Sequence, residues 1–116
     1  MPTIPVTITE GEARTFIATW PNMASGDVGE PIRYAGAADR TVQVIGSFGG
    51  ATVRIEGTLE QVPTTWLPLN DAQGNPTEIT EPRLETLTEL VRQVRPAVVG
   101  GAGTNVTVLL LMRQTI

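Results

Sequence analysis

The chain has 116 residues, 41% hydrophobic and 17% charged, with a formal net charge of −4. That is one domain's worth of sequence, able to bury roughly two-thirds of its unfolded surface. Cysteine and histidine are both absent, which excludes a disulfide framework, a thiolate nucleophile, a Cys/His zinc site and any scheme that needs an imidazole.

Three further classes drop out. All eight basic residues are arginines, scattered without the basic stripe that nucleic-acid binding requires, so no nucleic-acid partner is expected. No run approaches the roughly 20 apolar residues of a membrane-spanning helix, so no membrane partner is expected either. Met1–Pro5 lacks the basic start and apolar block of a secretory signal, and the chain reads as mature. The lack of cysteine leaves the compartment open.

Pro2–Thr9 alternates Ile4, Val6 and Ile8 with threonine and reads as an edge strand or extended arm, with proline at its start. Such a strand either closes the domain's own sheet or adds to a neighbour's. Glu10–Glu12 is a turn, and Arg14–Trp20 a strand ended by Pro21-Asn22. Asn22–Asp39 is long, rich in Gly, Ala and Pro, and weakly patterned; it reads as a surface loop with a short strand at Ile32–Tyr34.

Thr41–Ile45 and Ala51–Glu56 are β-branched runs joined by Gly46-Ser47-Phe48-Gly49-Gly50, which predicts a β-hairpin. Val42, Val44, Val53 and Ile55 line one face; Gln43, Arg54 and Glu56 line the other. Thr64–Leu69 is a short strand held to an edge by Pro68. Asn70–Pro76 is a turn and Thr77–Thr80 another short strand.

Leu84, Leu87, Leu90, Val91 and Val94 recur at three-to-four spacing behind Thr80 and Pro82, which predicts a short helix over 82–89. Arg95-Pro96 opposes helix, so 92–99 reads as strand. Gly100–Asn105 is a turn. Val106–Arg113 is so apolar that it reads as a central strand covered on both faces. Seven or eight short strands at 8–12-residue spacing give an all-β fold, an antiparallel β-sandwich or jelly roll with one short helix. Residues 1–12 form an arm or edge strand and 13–116 the single sandwich domain.

Residues with chemical capacity are few. Asp27 with Glu30, and Asp71 beside Asn70 and Asn75, offer oxygen ligands but lack a calcium-loop pattern, and read as turn residues. Glu81, Glu85 and Glu89 fall at i, i+4 spacing, one solvated face of the predicted helix. The glycine segments lead from no strand into a helix and read as turns, not phosphate loops. No catalytic residue, metal site or cofactor is expected, and the chain does not read as an enzyme.

Among the aromatics, Trp66 reads as core, and Phe48 at a loop tip either folds back or docks on a neighbour. Trp20, beside Pro21 and Met23, is the candidate interface anchor.

Longer stretches carry a resemblance. Thr19-Trp20, Ser25-Gly26-Asp27-x-Gly29-x-Pro31, and the run from Gly36 through Asp39-Arg40-Thr41-Val42 and Phe48-Gly49-Gly50 to Glu56-Gly57 resemble small virion proteins of tailed bacteriophages. So do Trp66-x-x-Leu69, Asp71-x-Gln73-Gly74-Asn75, Val94-Arg95-Pro96 and Gly100-Gly101. Those proteins are similar to the capsid decoration, or cement, proteins encoded beside major capsid genes. The resemblance covers Thr19–Arg113. Gly57–Pro63 departs from the Ser-x-Asp-Gly turn common in them.

The resemblance implies a homo-oligomer, with a trimer favoured over a dimer, that binds the major capsid protein. It would be made in the bacterial host cytoplasm, sit on the outer surface of the assembled head and bridge capsomers. The expected contacts are Ile4, Val6 and Ile8 of the N-terminal strand, Trp20 and Met23 of the adjoining loop, and Phe48. A ligand- or carbohydrate-binding adhesion module, with Trp20, Tyr34 and Trp66 on one exposed face, is the alternative, as is an accessory structural protein of the tail or neck.

Overall fold

A computed structural model describes residues 3–33 and 37–114. Its strands are β1 (Thr3–Ile4), β2 (Thr7–Glu10), β3 (Thr15–Met23), β4 (Val28–Gly29), β5 (Ala37–Ser47), β6 (Thr52–Thr58), β7 (Leu67–Pro68), β8 (Glu78–Ile79), β9 (Arg83–Thr86), β10 (Gln93–Val99) and β11 (Asn105–Gln114). One sheet runs β1-β4-β10-β6-β7, with β8 also paired to β6; the other runs β2-β3-β11-β5-β9. Apart from the parallel β1–β4 pair, neighbours are antiparallel.

The two sheets bury their facing sides. Val53 and Ile55 of β6, with Val94 and Val98 of β10, meet Val42 and Val44 of β5 and Val106, Val108, Leu110 and Met112 of β11. Each is almost fully buried, and alternation along every strand puts the residue between them on the outside. At about 1.5–3 kcal/mol per buried aliphatic side chain, this layer is the dominant stabilising term.

The Gly46–Gly50 loop does not make a hairpin. β5 pairs with β11 and β9 in one sheet, and β6 pairs with β10, β7 and β8 in the other. The loop is a corner that carries the chain between sheets. Placing the strands face to face lets Val42 and Val44 cover Val53 and Ile55 across the interior; side by side, all four would need another layer. The β10–β11 loop turns the same corner, and the two are tied by Ala102 N–H donating to Gly49 O at 3.0 Å and Thr104 Oγ1 donating to Phe48 O at 2.8 Å.

The short helix predicted over 82–89 is absent; no helix occurs among the described residues. Arg83–Thr86 is instead β9, the edge strand paired with Thr41–Val44. The five aliphatics share no face: Leu87 and Val94 are buried, whereas Leu84 and Leu90 are exposed. The open edge of β5 offers backbone partners that a helix would leave unmet. The short strand expected at Ile32–Tyr34 is reduced to a single bridge between Ile32 and Val94, and Tyr34 lies outside the described residues.

The N-terminal segment serves both sheets. β1 lies at one edge of the first and β2 at one edge of the second. β2 returns into β3 through a tight turn in which Ala13 and Arg14 both have positive φ, 53° and 63°. Thr15 N–H donates to Glu12 O at 3.0 Å and Gly11 N–H to Thr15 O at 2.7 Å. Asn-Gly adopts this geometry cheaply; Ala-Arg does not.

Two stability measurements by urea unfolding follow. Gly49 has φ +58, and an added Cβ would meet Ala102 O at 2.1 Å, whereas Gly50, at φ +87, has open space. Gly49→Ala is expected to cost about 2–4 kcal/mol and Gly50→Ala about 1 kcal/mol; equal losses would contradict the corner contact. Replacing Ala13-Arg14 by Asn-Gly is expected to add about 1–2 kcal/mol, and no gain would show that the turn stores no strain.

Candidate functional site

The acidic loop residues hold the chain's own backbone. Asp27 Oδ2 accepts Ala24 N–H at 2.8 Å, and Asp71 Oδ1 accepts Gln73 and Asn75 N–H, each at 3.0 Å. Glu30 accepts Val6 N–H at 2.9 Å, a separate task from that of Asp27. Among the described residues, no three acidic side chains come together where a metal could bind. Glu85 pairs with Arg83 at 3.1 Å and Glu78 with Arg54 at 3.4 Å, so the acidic run is divided between different elements.

The candidate contact residues separate into two groups. Trp20 is 1% exposed and Met23 fully buried, both between the sheets. The Trp20 indole N–H donates to Glu30 O at 2.9 Å, and its ring packs with Ile55, Val94, Pro96 and Val108. Phe48, 8% exposed, folds back to plug the corner end of the core. These three side chains are therefore interior, with no surface to give a partner. Ile4 and Val6 are half-buried against the core, and Ile8 is 38% exposed.

Trp66, expected in the core, is half-buried on the outside of the first sheet. The Arg95 guanidinium stands 4.4 Å from the centre of its ring, while Arg95 Nε binds Glu56 at 3.1 Å.

The site that sequence reasoning missed lies at the end of the sandwich opposite the glycine corner. Leu59, Leu67, Leu69 and Val91 line an open groove of about 420 Å³, with Glu60 and Glu89 at its rim. Leu59 and Leu67 are 70% and 65% exposed, and nearby Val62 and Leu90 are also exposed. Gly57 makes the floor: a Cβ there would meet Val91 Cγ2 at 2.7 Å and Leu69 Cδ2 at 2.8 Å. The signal in the sequence was Leu59-Glu60-Gln61-Val62-Pro63, two large aliphatics in a turn with no strand pattern to bury them.

Both rim carboxylates are built into the groove. Glu60 accepts Thr64 N–H at 3.0 Å, Thr64 Oγ1 at 2.7 Å and Thr65 N–H at 2.8 Å. These bonds, with one from Thr58, hold its pKa down to about 2 against the opposing effect of burial. At Glu89, burial pushes the pKa up, but bonds from Asn70 N–H (2.7 Å), the Asn70 side chain (2.6 Å) and Thr88 outweigh it, so the net shift is downward. The main-chain oxygen of Glu89 accepts Arg40 Nη2 at 2.7 Å. Arg40 is buried, its Nε has no partner among the described residues, and desolvation lowers its pKa despite the charge of Glu89. This network joins β5 to the groove wall.

A second apolar surface lies on the outer side of the five-stranded sheet. There Ile17, Leu84, Leu109 and Leu111 surround a depression of about 310 Å³ with Thr41 and Gln43.

The chain is thus an all-β sandwich with two apolar surfaces open to solvent and with loop carboxylates bound to its own backbone. No protein-family model matches the sequence, and no curated protein sequence matches it. Among solved structures, the chain is similar to the SPBc2 prophage-derived protein YomS, with a TM-score of 0.61 and 19% identity over 84% of this chain and 93% of that one. The similarity shows a common all-β fold with a prophage-derived protein. A carbohydrate-binding module, CsCBM6-3 from Clostridium stercorarium in complex with cellobiose, aligns at 15% identity over 95% of this chain and 82% of that one. Its TM-score of 0.32 is too low to define a common fold.

The Glu60 bonds set a pH signature. The folded carboxyl titrates near 2 and the unfolded one near 4.5. Its stabilising contribution is therefore complete above about pH 4.5 and is lost as pH falls through about 2. An NMR titration of the Glu60 carboxyl carbon is expected to show a midpoint near 2; a midpoint near 4.5 would show that the loop bonds do not hold in solution.

Proposed function

We propose that this chain is a decoration protein of a tailed-phage head, a binding rather than a catalytic component. Copies dock on the outer surface of the assembled shell at capsomer junctions and stabilise it. The observation that carries the reading is the exposed apolar groove of Leu59, Leu67, Leu69 and Val91, an end-on contact surface on a domain whose loop carboxylates are already committed. The sequence resemblance over Thr19–Arg113 and the fold in common with a prophage-derived protein support the same reading.

The mechanism is physical. A ligand that binds only the assembled shell stabilises it by mass action. Many copies, each making more than one contact, add avidity. In this reading the groove receives an apolar side chain of the major capsid protein, while Glu60 and Glu89 favour basic flanks. The groove, rather than Trp20, Met23 or Phe48, makes the contact. The adhesion alternative needs Trp20, Tyr34 and Trp66 on one exposed face, and the interior position of Trp20 removes that platform.

Purified protein is expected to co-sediment with undecorated shells of its phage at a fixed copy number per capsid protein, and to raise their resistance to heat. Leu67→Asp, on an exposed side chain, is expected to weaken binding about 10–100-fold with unchanged folding, from the loss of one buried leucine. Absence of saturable binding would overturn the assignment, and binding to tails instead would favour a neck or tail role.

A further inference from the structure

The outer faces of the two sheets differ in kind. That of the six-stranded sheet carries the ion pairs Arg54–Glu78 and Arg95–Glu56. That of the five-stranded sheet carries Ile17, Ile45, Leu84, Leu109 and Leu111 set among threonines. Its charged residues, Arg113 and Asp39, neutralise each other at one end. Ile45, Leu84 and Leu111 are 43%, 62% and 37% exposed, with nothing among the described residues covering them.

β11 makes the mismatch explicit. Antiparallel strands with one wet face alternate apolar and polar residues, whereas strands covered on both faces read as continuous apolar runs. Val106–Met112 is of the second kind, with only Thr107 breaking it. Yet one of its faces meets the core while Leu109 and Leu111 point away from it.

We infer that the outer face of the five-stranded sheet is covered by the same face of a second copy, related by a twofold axis. The inference deepens the homo-oligomer expected of a decoration protein and replaces the preferred threefold contact with a pair. Three observations select a second copy as occupant. The chain is acidic overall, so two copies repel except where they meet through a neutral surface, and this face is neutral. It is a sheet surface of β-branched and leucine side chains, which pack on another such sheet at about 10 Å in an aligned sandwich. Its size also fits: five strands about 4.8 Å apart and some seven residues long cover on the order of 500 Å² in projection. Side-chain relief brings that toward the about 800 Å² per partner of a stable interface. Two sandwiches then form a four-layer stack in which β11 is covered on both sides, and both end grooves stay open.

Light scattering coupled to size exclusion tests this with the full chain at about 100 μM. A mass of about 25 kDa is expected, twice the 12.4 kDa of one chain. Leu84→Asp and Ile45→Asp, both on exposed side chains, are each expected to raise the dimer dissociation constant at least about 100-fold and give a 12 kDa species with an unchanged circular dichroism spectrum. Leu67→Asp, in the end groove, is expected to remain dimeric. A monomeric or trimeric wild type would overturn the inference, as would a dimer that survives both substitutions. Shell co-sedimentation is read separately. A monomer that still binds shells would sink the pair and keep the decoration reading; a dimer that does not would do the reverse.

Discussion

Everything in this molecule depends on one apolar layer, the contact of β6 and β10 with β5 and β11 across the sandwich. Val42, Val44, Val108 and Leu110 lie on one side, and Val53, Ile55, Val94 and Val98 on the other. The sheets are not separate stretches of chain. The β5–β6 and β10–β11 corners each pass from one sheet to the other, and their hydrogen bonds to one another lock that end. The N-terminal segment passes between sheets as well, giving an edge strand to each. Trp20 extends the layer to β4, its ring in the core and its N–H on Glu30 O. With the layer fixed, the positions of the end groove and of the outer sheet faces follow.

The loop carboxylates are bound to the chain's own backbone. Asp27, Asp71, Glu60 and Glu89 each accept backbone amides in a loop. At Glu60 and Glu89 these bonds stabilise the anion and hold the pKa below the usual carboxylate range. Arg54, Arg83, Arg95 and Arg113 pair with acidic neighbours, Arg95 also stacks on Trp66, and Arg40 lies buried. Two aliphatic surfaces stay open to solvent: the groove at one end and the outer face of the second sheet.

Strand positions were legible because period-2 alternation is local. Val42/Val44, Val53/Ile55 and Val106–Met112 announce their inward residues without reference to partners, and the glycine pairs announce that the chain turns, though not that it changes sheet. Pairing was not legible. A hairpin and a corner between sheets place identical demands on Thr41–Glu56, and only β11 and β10 decide between them. The Leu84–Val94 spacing misled for a related reason. It fits a helix taken alone, but the free edge of β5 and the burial of Leu87 at the sandwich end draw the segment into strand and loop.

The site was less legible than the fold. Trp20 looked like an anchor because it adjoins a loop, yet β3 continues through Pro21 and Asn22 and carries the ring inside. The groove joins Leu59, Leu67 and Val91 from three separate segments, a juxtaposition no local pattern encodes. Val106–Arg113 was read as a central strand covered on both faces; it is central, but within the domain only one of its faces is covered, and Leu111 on the other is 37% exposed.

The central claim is that these surfaces serve a phage head. Electron-microscopy reconstructions of heads assembled with and without this chain test it most directly. The account predicts density for a two-sheet sandwich on the outer surface at capsomer junctions, end groove toward the shell, and its loss from the heads made without the chain. Identical heads in the two preparations, or a difference confined to the tail, would contradict it.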